Sequence, residues 1–414
     1  MTLFDFDTPQ LLLRRPADPP IVLEGATLID GTGAAPVLDS RVLISGHRVT
    51  AVNMDKDLEV EPVRIDLRGR WIMPGLIDAH VHLDGSSTTD PYRRHLSDPR
   101  GTRMLRAARQ ASATLATGCT TIRDVGSPFG PALRRAVEGG VVTGPRVVTS
   151  GPIITATDGA GDPRLLPSIL TRDRRLGFGI ADGVEECAWT VRTNLRDGSD
   201  LVSVMLGGGL VGEERMGHLA LGPEFSSEEL RVMCEEGHRR GVMISAHAPG
   251  MDSLLMALEC GVDTIEHPAA EVDDAVLARL RNKGTCVVST IDAFHRSGLR
   301  REASQAGSLA VSAVHSGVPI AVGSAGSGAS PVSLANEIEA VYRTGVGVDL
   351  LISALTLGGA RALGIADEVG TIEAGKLCDI LVLEFDPYRF PDRLGSGEGI
   401  AQIVKARPDG SGTG

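Results

Sequence analysis

Between residues 71 and 365, short apolar runs alternate with amphipathic stretches eight times. The strand-like runs are 71–79, 119–125, 146–154, 201–206, 242–247, 263–267, 285–291 and 319–323. The helical patterns fall at 102–116, 131–138, 183–196, 226–240, 251–260, 272–282, 302–316 and 332–343. Strands that are apolar on nearly every residue are covered on both faces, as in parallel sheets wrapped by helices. Eight strand–helix units predict an α/β fold of one kind, the closed (β/α)8 barrel. An open doubly wound sheet is the rival, but no Gly-x-Gly-x-x-Gly follows an early strand. Ser226-Ser-Glu-Glu229 has the spacing of a capping box and predicts the start of the fourth helix.

The flanks have a different texture. Residues 1–20 are proline-rich with mixed charge and read as an N-terminal arm. From 21 to 70, short β segments are broken by Gly and Asp, and the same texture returns at 366–406. Two β-rich ends around a different middle predict that they pair in space, as a small β-sandwich domain beside the 71–365 barrel. Residues 407–414, rich in glycine, read as a disordered tail.

Composition narrows the class. An apolar fraction of 42% and a charged fraction of 23% are ordinary for a globular chain. A net charge of −12 argues against nucleic acid, which requires clustered basic surface. Aromatics at 3% are too sparse for a base-stacking platform. Six cysteines without a Cys-x-x-Cys pair read as buried thiols of a reducing compartment. The apolar run Leu11–Leu13 is too short for a signal peptide, and no segment reaches membrane-spanning length. A cytoplasmic protein acting on a small molecule, without nucleic-acid or membrane partners, is expected. Only four lysines occur, Lys56, Lys283, Lys376 and Lys405, which fixes where lysine chemistry can happen.

In a barrel of this kind, function sits at the carboxyl ends of the strands. The first strand ends in His80-Val-His82, the fifth in Ser245-Ala-His247, the sixth in Ile265-Glu266-His267. Alternate side chains of a strand share a face, so His80 and His82 point the same way, about 7 Å apart along the strand. Four imidazoles at three matching strand ends predict a metal site of His80, His82, His247 and His267. Strand alternation turns Glu266 away from that ion, into a supporting position. Asp78 shares the parity of His80 and is placed to hold an imidazole from below.

These motifs resemble the amidohydrolase superfamily, in the branch of prolidase-like and imidazolonepropionase-like enzymes. The resemblance rests on Pro74-Gly-Leu-Ile-Asp-Ala-His80-Val-His82, Thr120-Thr-Ile-Arg-Asp124, His247, Glu266-His267 and Gly370-Thr-Ile-Glu-Ala-Gly-Lys-Leu-Cys-Asp379-Ile. It implies a (β/α)8 barrel beside a small β-sandwich, metal-dependent hydrolysis of C–N bonds in small acyl-amino acids, dipeptides or cyclic amides, and a homo-oligomer. It implies that His80 and His82 bind one metal, and that His247 and His267 complete it or bind a second.

Two positions depart from the pattern. Where two-metal members carry a bridging carbamylated lysine at the end of strand four, this chain has Ser203. Where the family ends strand eight in Gly-Thr-Asp, it reads Gly323-Ser324-Ala325. Both losses are anionic, and two divalent cations without them repel by several kcal/mol at an effective dielectric of about 20. A single divalent transition metal, Zn, Fe or Mn first, is therefore expected. Asp158, Asp292, His295 and His218 lie in loops after strands and are the candidate acids and bases, with Glu213 and Glu214 as further carboxylates. Amide hydrolysis is the leading reading. A repurposed lyase, isomerase or oxygen-using enzyme and a non-catalytic binding relative are the alternatives.

Overall fold

The computed structural model describes residues 10–54, 61–83, 98–162, 166–173, 177–208, 222–326 and 333–407. The two chain ends pair in one mixed sheet. Its strands are β1 (Gln10–Arg14), β2 (Ile21–Leu28), β3 (Val37–Ser45), β4 (Arg48–Val52), β5 (Val63–Asp66), β6 (Trp71–Pro74), β17 (Ile380–Leu383) and β18 (Ile400–Ala406). They run in the order β1-β18-β17-β6-β2-β3-β4, and β5 branches off β2. The sheet draws on both ends through β17, antiparallel to β6, and β1, parallel to β18.

Three details differ from the sequence reading. Residues 10–14, expected in an arm, are an ordered strand, because the apolar run Leu11–Leu13 finds Ile403–Lys405 as its partner. The described strands form one branched sheet where a sandwich was expected. Trp71–Pro74 belongs to this sheet, so the central unit begins at Leu76.

Gly75 is where the chain changes sheets. Its N–H donates to the Asp379 carbonyl, and the next N–H, of Leu76, donates to Gly118. A Cβ at Gly75 would lie 2.7 Å from the Cβ of Thr120, a contact real side chains do not make. Glycine is required there by close approach.

The middle of the chain forms two parallel sheets. One holds β7 (Leu76–Val81), β8 (Cys119–Asp124) and β9 (Arg146–Thr149). The other holds β10 (Ile154–Thr155), β11 (Gly179–Ile180), β12 (Val202–Met205), β13 (Ile244–His247), β14 (Thr264–Glu266), β15 (Cys286–Ser289) and β16 (Ile320–Val322). The sheets meet at two seams. At one, Val81 bridges Gly326 and Ala325 N–H donates to the His80 carbonyl at 2.9 Å. At the other, Asp200 N–H, just before β12, donates to the Thr149 carbonyl of β9 at 2.7 Å.

Every residue of β7, β8 and β12 to β15 is buried, as a sheet with covered faces requires. Each helical pattern read from the sequence corresponds to a helix, from Arg100–Ala116 to Ala335–Arg343. The capping box forms: Ser226 Oγ accepts from Glu229 N, and Glu229 Oε2 accepts from Ser226 N at 2.7 Å. All six cysteines are free and buried, and burial pushes Cys187, Cys234, Cys286 and Cys378 up to about 12. Among the described residues, no helix is long and apolar enough to cross a membrane.

Replacing Gly75 by alanine should cost about 1–3 kcal/mol, the usual penalty of forcing a methyl group into a packed interior. Urea unfolding of Gly75→Ala measures it, and an unchanged midpoint would show that the crossing is not close-packed.

Candidate metal centre

His80 lies within β7 and is fully buried, while His82 follows just beyond the strand. His247 ends β13, and His267 follows the last residue of β14. The ring centroids of His80 stand 5.0 Å from His82, 4.8 Å from His247 and 4.3 Å from His267. His80 Nε2 and His82 Nε2 are 3.1 Å apart. Two nitrogens bound to one tetrahedral ion at ordinary Zn–N lengths would be about 3.3 Å apart. One nitrogen each from His80, His82 and His247 lies within 4.8 Å of the others, among the described residues. His267 packs beside them, 5.0 Å centroid to centroid from His247, but stands outside that group of three.

All four rings are poor proton acceptors where they stand. Burial pulls His82 down to about 4 and His267 to about 3, and takes His80 and His247 well below the usual range. Neutral imidazoles keep the lone pair that a metal ligand needs. Converging neutral nitrogens thus fit a borderline transition metal and suit Ca or Mg poorly, since those take oxygen.

Behind the rings runs a buried polar chain. His80 Nδ1 donates to Glu266 Oε2 at 2.7 Å, which leaves Nε2 as the free lone pair. Glu266 Oε1 accepts from Arg123 Nη2 at 2.6 Å, Thr264 Oγ1 at 2.7 Å and Ser245 Oγ at 2.9 Å. Arg123 also donates to the carbonyls of Ala79 and Ala362. Both Arg123 and Glu266 have 0% exposed side chains, and Arg123 heads the fully buried side chains by volume.

Strand alternation put Glu266 and His267 on opposite faces, yet Glu266 reaches His80 while the His267 ring packs against it. The chain breaks alternation at His267, whose φ of 58° is left-handed. Left-handed backbone at a residue with a bulky side chain marks strain held by its surroundings. Thr290 Oγ1, 2.6 Å from His267 Nδ1, fixes that ring.

Asp78 does not hold an imidazole. Its Oδ1 accepts from the backbone N–H groups of His80 and Ser324, tying β7 to the loop after β16. Burial raises its carboxyl to about 6, and Oδ2 has no hydrogen-bond partner.

The acid and base candidates fare differently. Asp158 is exposed, with φ 64°, and its N–H donates to Asp162. Asp292 pairs with Arg296 at 2.7 Å. His295 is exposed on the short helix Ile291–Arg296. Asp158, Asp292 and His295 are not among the residues whose ligand atoms converge with His80, His82 and His247. His218, Glu213, Glu214 and Lys56 lie outside the described residues. Ser203 Oγ sits 3.4 Å from His247 Nε2, a weak contact where the resemblance implied a lysine. Lys283 donates to the Leu258 carbonyl, Lys376 pairs with Glu373, and Lys405 is buried on β18, so none of these reaches the rings. Ala325 is buried with φ 46°, a conformation that aspartate and asparagine adopt more readily than alanine.

Two charged residues escaped the sequence reading. Arg296 donates to the carbonyl of Ser324, beside Ala325, and its charge helps to lower His267. Glu337, on helix Ala335–Arg343, accepts from Ser289 Oγ and from the N–H groups of Ile291 and Asp292. It anchors the loop after β15, and burial pushes its carboxyl up to about 8. Helical spacing alone could not separate this acid from a solvated one.

Comparison with known proteins places the chain in a family. Residues 71–412 match the family model described as Amidohydrolase family. Ochratoxinase of Aspergillus niger is 30% identical over 397 residues, covering 88% of this chain and 81% of its own. Its crystal structure superposes with a TM-score of 0.82 at 25% identity, over 94% of both chains. Imidazolonepropionase of Stenotrophomonas maltophilia is 27% identical over 405 residues, covering 92% and 95%. A Xaa-Pro dipeptidase crystallised with methionine in its active site gives a TM-score of 0.81 at 26% identity, covering 93% and 98%.

Glu266→Gln should cost about 3–5 kcal/mol in stability, because it strands the buried Arg123 charge. It should also weaken metal binding about 10–100-fold through the loosened His80. Denaturant titration and metal competition check both, and a stable variant with native metal affinity would remove the supporting role. Glu337→Gln should lower stability by about 1–3 kcal/mol, since one of its three donors would face an amide N–H. Its metal content should stay unchanged.

Proposed function

Because this chain belongs to the amidohydrolase family, we propose that it is a metal-dependent hydrolase that cleaves an amide bond in a small organic substrate. The two parallel sheets are read as one closed (β/α)8 barrel, supported by the hydrogen bonds at both seams and by the superposition on ochratoxinase. The carrying observation is the trio of neutral nitrogens on His80, His82 and His247, gathered at the carboxyl ends of the strands. These three residues would hold a single divalent ion, Zn, Fe or Mn, with His267 packed beside them as a further candidate donor.

An ion in this position acts as a Lewis acid and brings the pKa of a coordinated water toward ~7. The chain's own groups prepare the place. Glu266 keeps the proton of His80 on Nδ1, Arg123 holds Glu266 in place by direct contact, and Thr290 fixes His267. Arg296, paired with Asp292 and anchored on the Ser324 carbonyl, holds the loops after β15 and β16 together beside His267. The name of the Xaa-Pro dipeptidase supports amide cleavage as the reaction.

A second reading has its own observation. Ala325 occupies the strand-eight position where the resemblance implies a proton-accepting aspartate, and Ser203 replaces the bridging lysine. A site stripped of both suits a lyase, an isomerase or an oxygen-using reaction.

Elemental analysis of the full chain should find about one equivalent of a transition metal. His82→Ala and His247→Ala should lose it, and hydrolysis of a panel of N-acyl amino acids and dipeptides should stop on chelation. Metal at two equivalents, or hydrolysis indifferent to chelation, contradicts the proposal. Ala325→Asp separates the two readings. A rise in amide hydrolysis of about 10²-fold or more, the usual worth of a positioned base, supports a hydrolase running without one. No rise, with metal still bound, favours the second reading.

A further inference from the structure

A cleft lies where helix Gly130–Glu138, the segment leading into β9 and the strands β1 and β18 come together. Its interior space is small, about 50 Å³. Four cations line it, Arg134, Arg146, Lys405 and Arg407, with Glu138 as the acid among the lining residues. Arg146 opens β9, so the cleft lies at the amino end of that strand, whereas the histidines lie at the carboxyl ends of theirs. It is a separate place.

The cations are not fully matched by the protein. Arg134 pairs with Asp200 and, at 3.9 Å, with Glu138, while Arg146 reaches Asp379 at 3.5 Å. Even so, the Nε atoms of both arginines are buried without a hydrogen-bond partner. Lys405 is only 4% exposed, and the hydrogen bond recorded for its ammonium is a 3.4 Å contact to the Ala406 carbonyl. An ammonium has three donors, and burying them unmet is costly. Burial lowers the Lys405 pKa to about 8 with help from Arg146 and Arg407, against Asp379. Gly140 has φ 72°, and a Cβ there would overlap the Arg407 guanidinium, so glycine keeps the space that Arg407 occupies.

Three cations with unmet donors, and Arg407 beside them, line one concavity and call for a compact anion with several acceptor oxygens. Guanidinium forks match tetrahedral oxyanions well. We propose that this cleft binds a phosphate group, as inorganic phosphate or as the terminal phosphate of a small metabolite, on Lys405, Arg146, Arg134 and Arg407. The cleft joins the small sheet to the parallel sheets, so its occupant ties the two units together.

Isothermal titration of the metal-loaded full chain with inorganic phosphate, at constant ionic strength against a chloride reference, tests this. Saturable binding is expected, weakened at least about tenfold in Lys405→Met by loss of one charge-assisted partner. Arg407→Gln, at a partly exposed position, should weaken it similarly and guards against a Lys405 variant that folds poorly. Both variants should keep the parent's metal content. Glycerol phosphate binding as tightly as phosphate assigns the cleft to phosphomonoesters, and phosphate alone binding assigns it to the free ion. Absence of saturable binding, or binding untouched by both substitutions, overturns the proposal.

Discussion

The ion pair between Arg123 and Glu266 is the contact on which the metal centre depends. Both groups are wholly buried, where removing either partner leaves the other's hydrogen-bonding groups unmet. Their partners come from β7, β8, β13 and β14 and from Ala362, at the end of the short helix Gly359–Ala362. One carboxylate therefore sets the spacing of several strands and the tautomer of His80 together. Geometry at the rings and cohesion of the surrounding sheets have one origin.

Strain and neutrality follow from the same enclosure. His267 and Ala325 both take left-handed backbone within reach of the rings, and surrounding hydrogen bonds hold each in place. The rings are uncharged chiefly because they are buried, with neighbouring rings adding to this at His80 and His247 and Arg123 at His80 alone. A cation entering this group would meet nitrogen lone pairs and a distant anion behind them. Ser203 and Ala325 add no negative charge. The pocket can therefore neutralise one ion poorly and two ions hardly at all, which is the physical ground for a lone metal.

Much of the architecture was legible before any coordinates. Eight apolar runs and eight helical patterns correspond to observed elements because near-continuous burial and 3.6-residue periodicity leave direct marks in a sequence. The histidines were legible because each sits at the end of such a run. The limits were equally physical. The change of sheet at Gly75 is hidden in one apolar stretch, since both sides are buried. The supporting position of Glu266 was legible from strand parity, whereas the facing of His267 was not, because its backbone turns left-handed. Arg123 sits as a charged residue within a strand, and only its partners, 44 to 239 residues away in sequence, reveal why it is inside. Glu337 and Arg296 were missed for the same reason: their roles are defined by distant backbone groups.

The central claim is one cation gripped by imidazoles, with no second ion. X-ray absorption at the metal edge of the loaded full-length protein tests it directly. The account predicts a first shell with at least three nitrogen scatterers near 2.0–2.1 Å and imidazole multiple scattering. A metal–metal vector at about 3.5–4 Å, or a shell dominated by carboxylate oxygen, would contradict it.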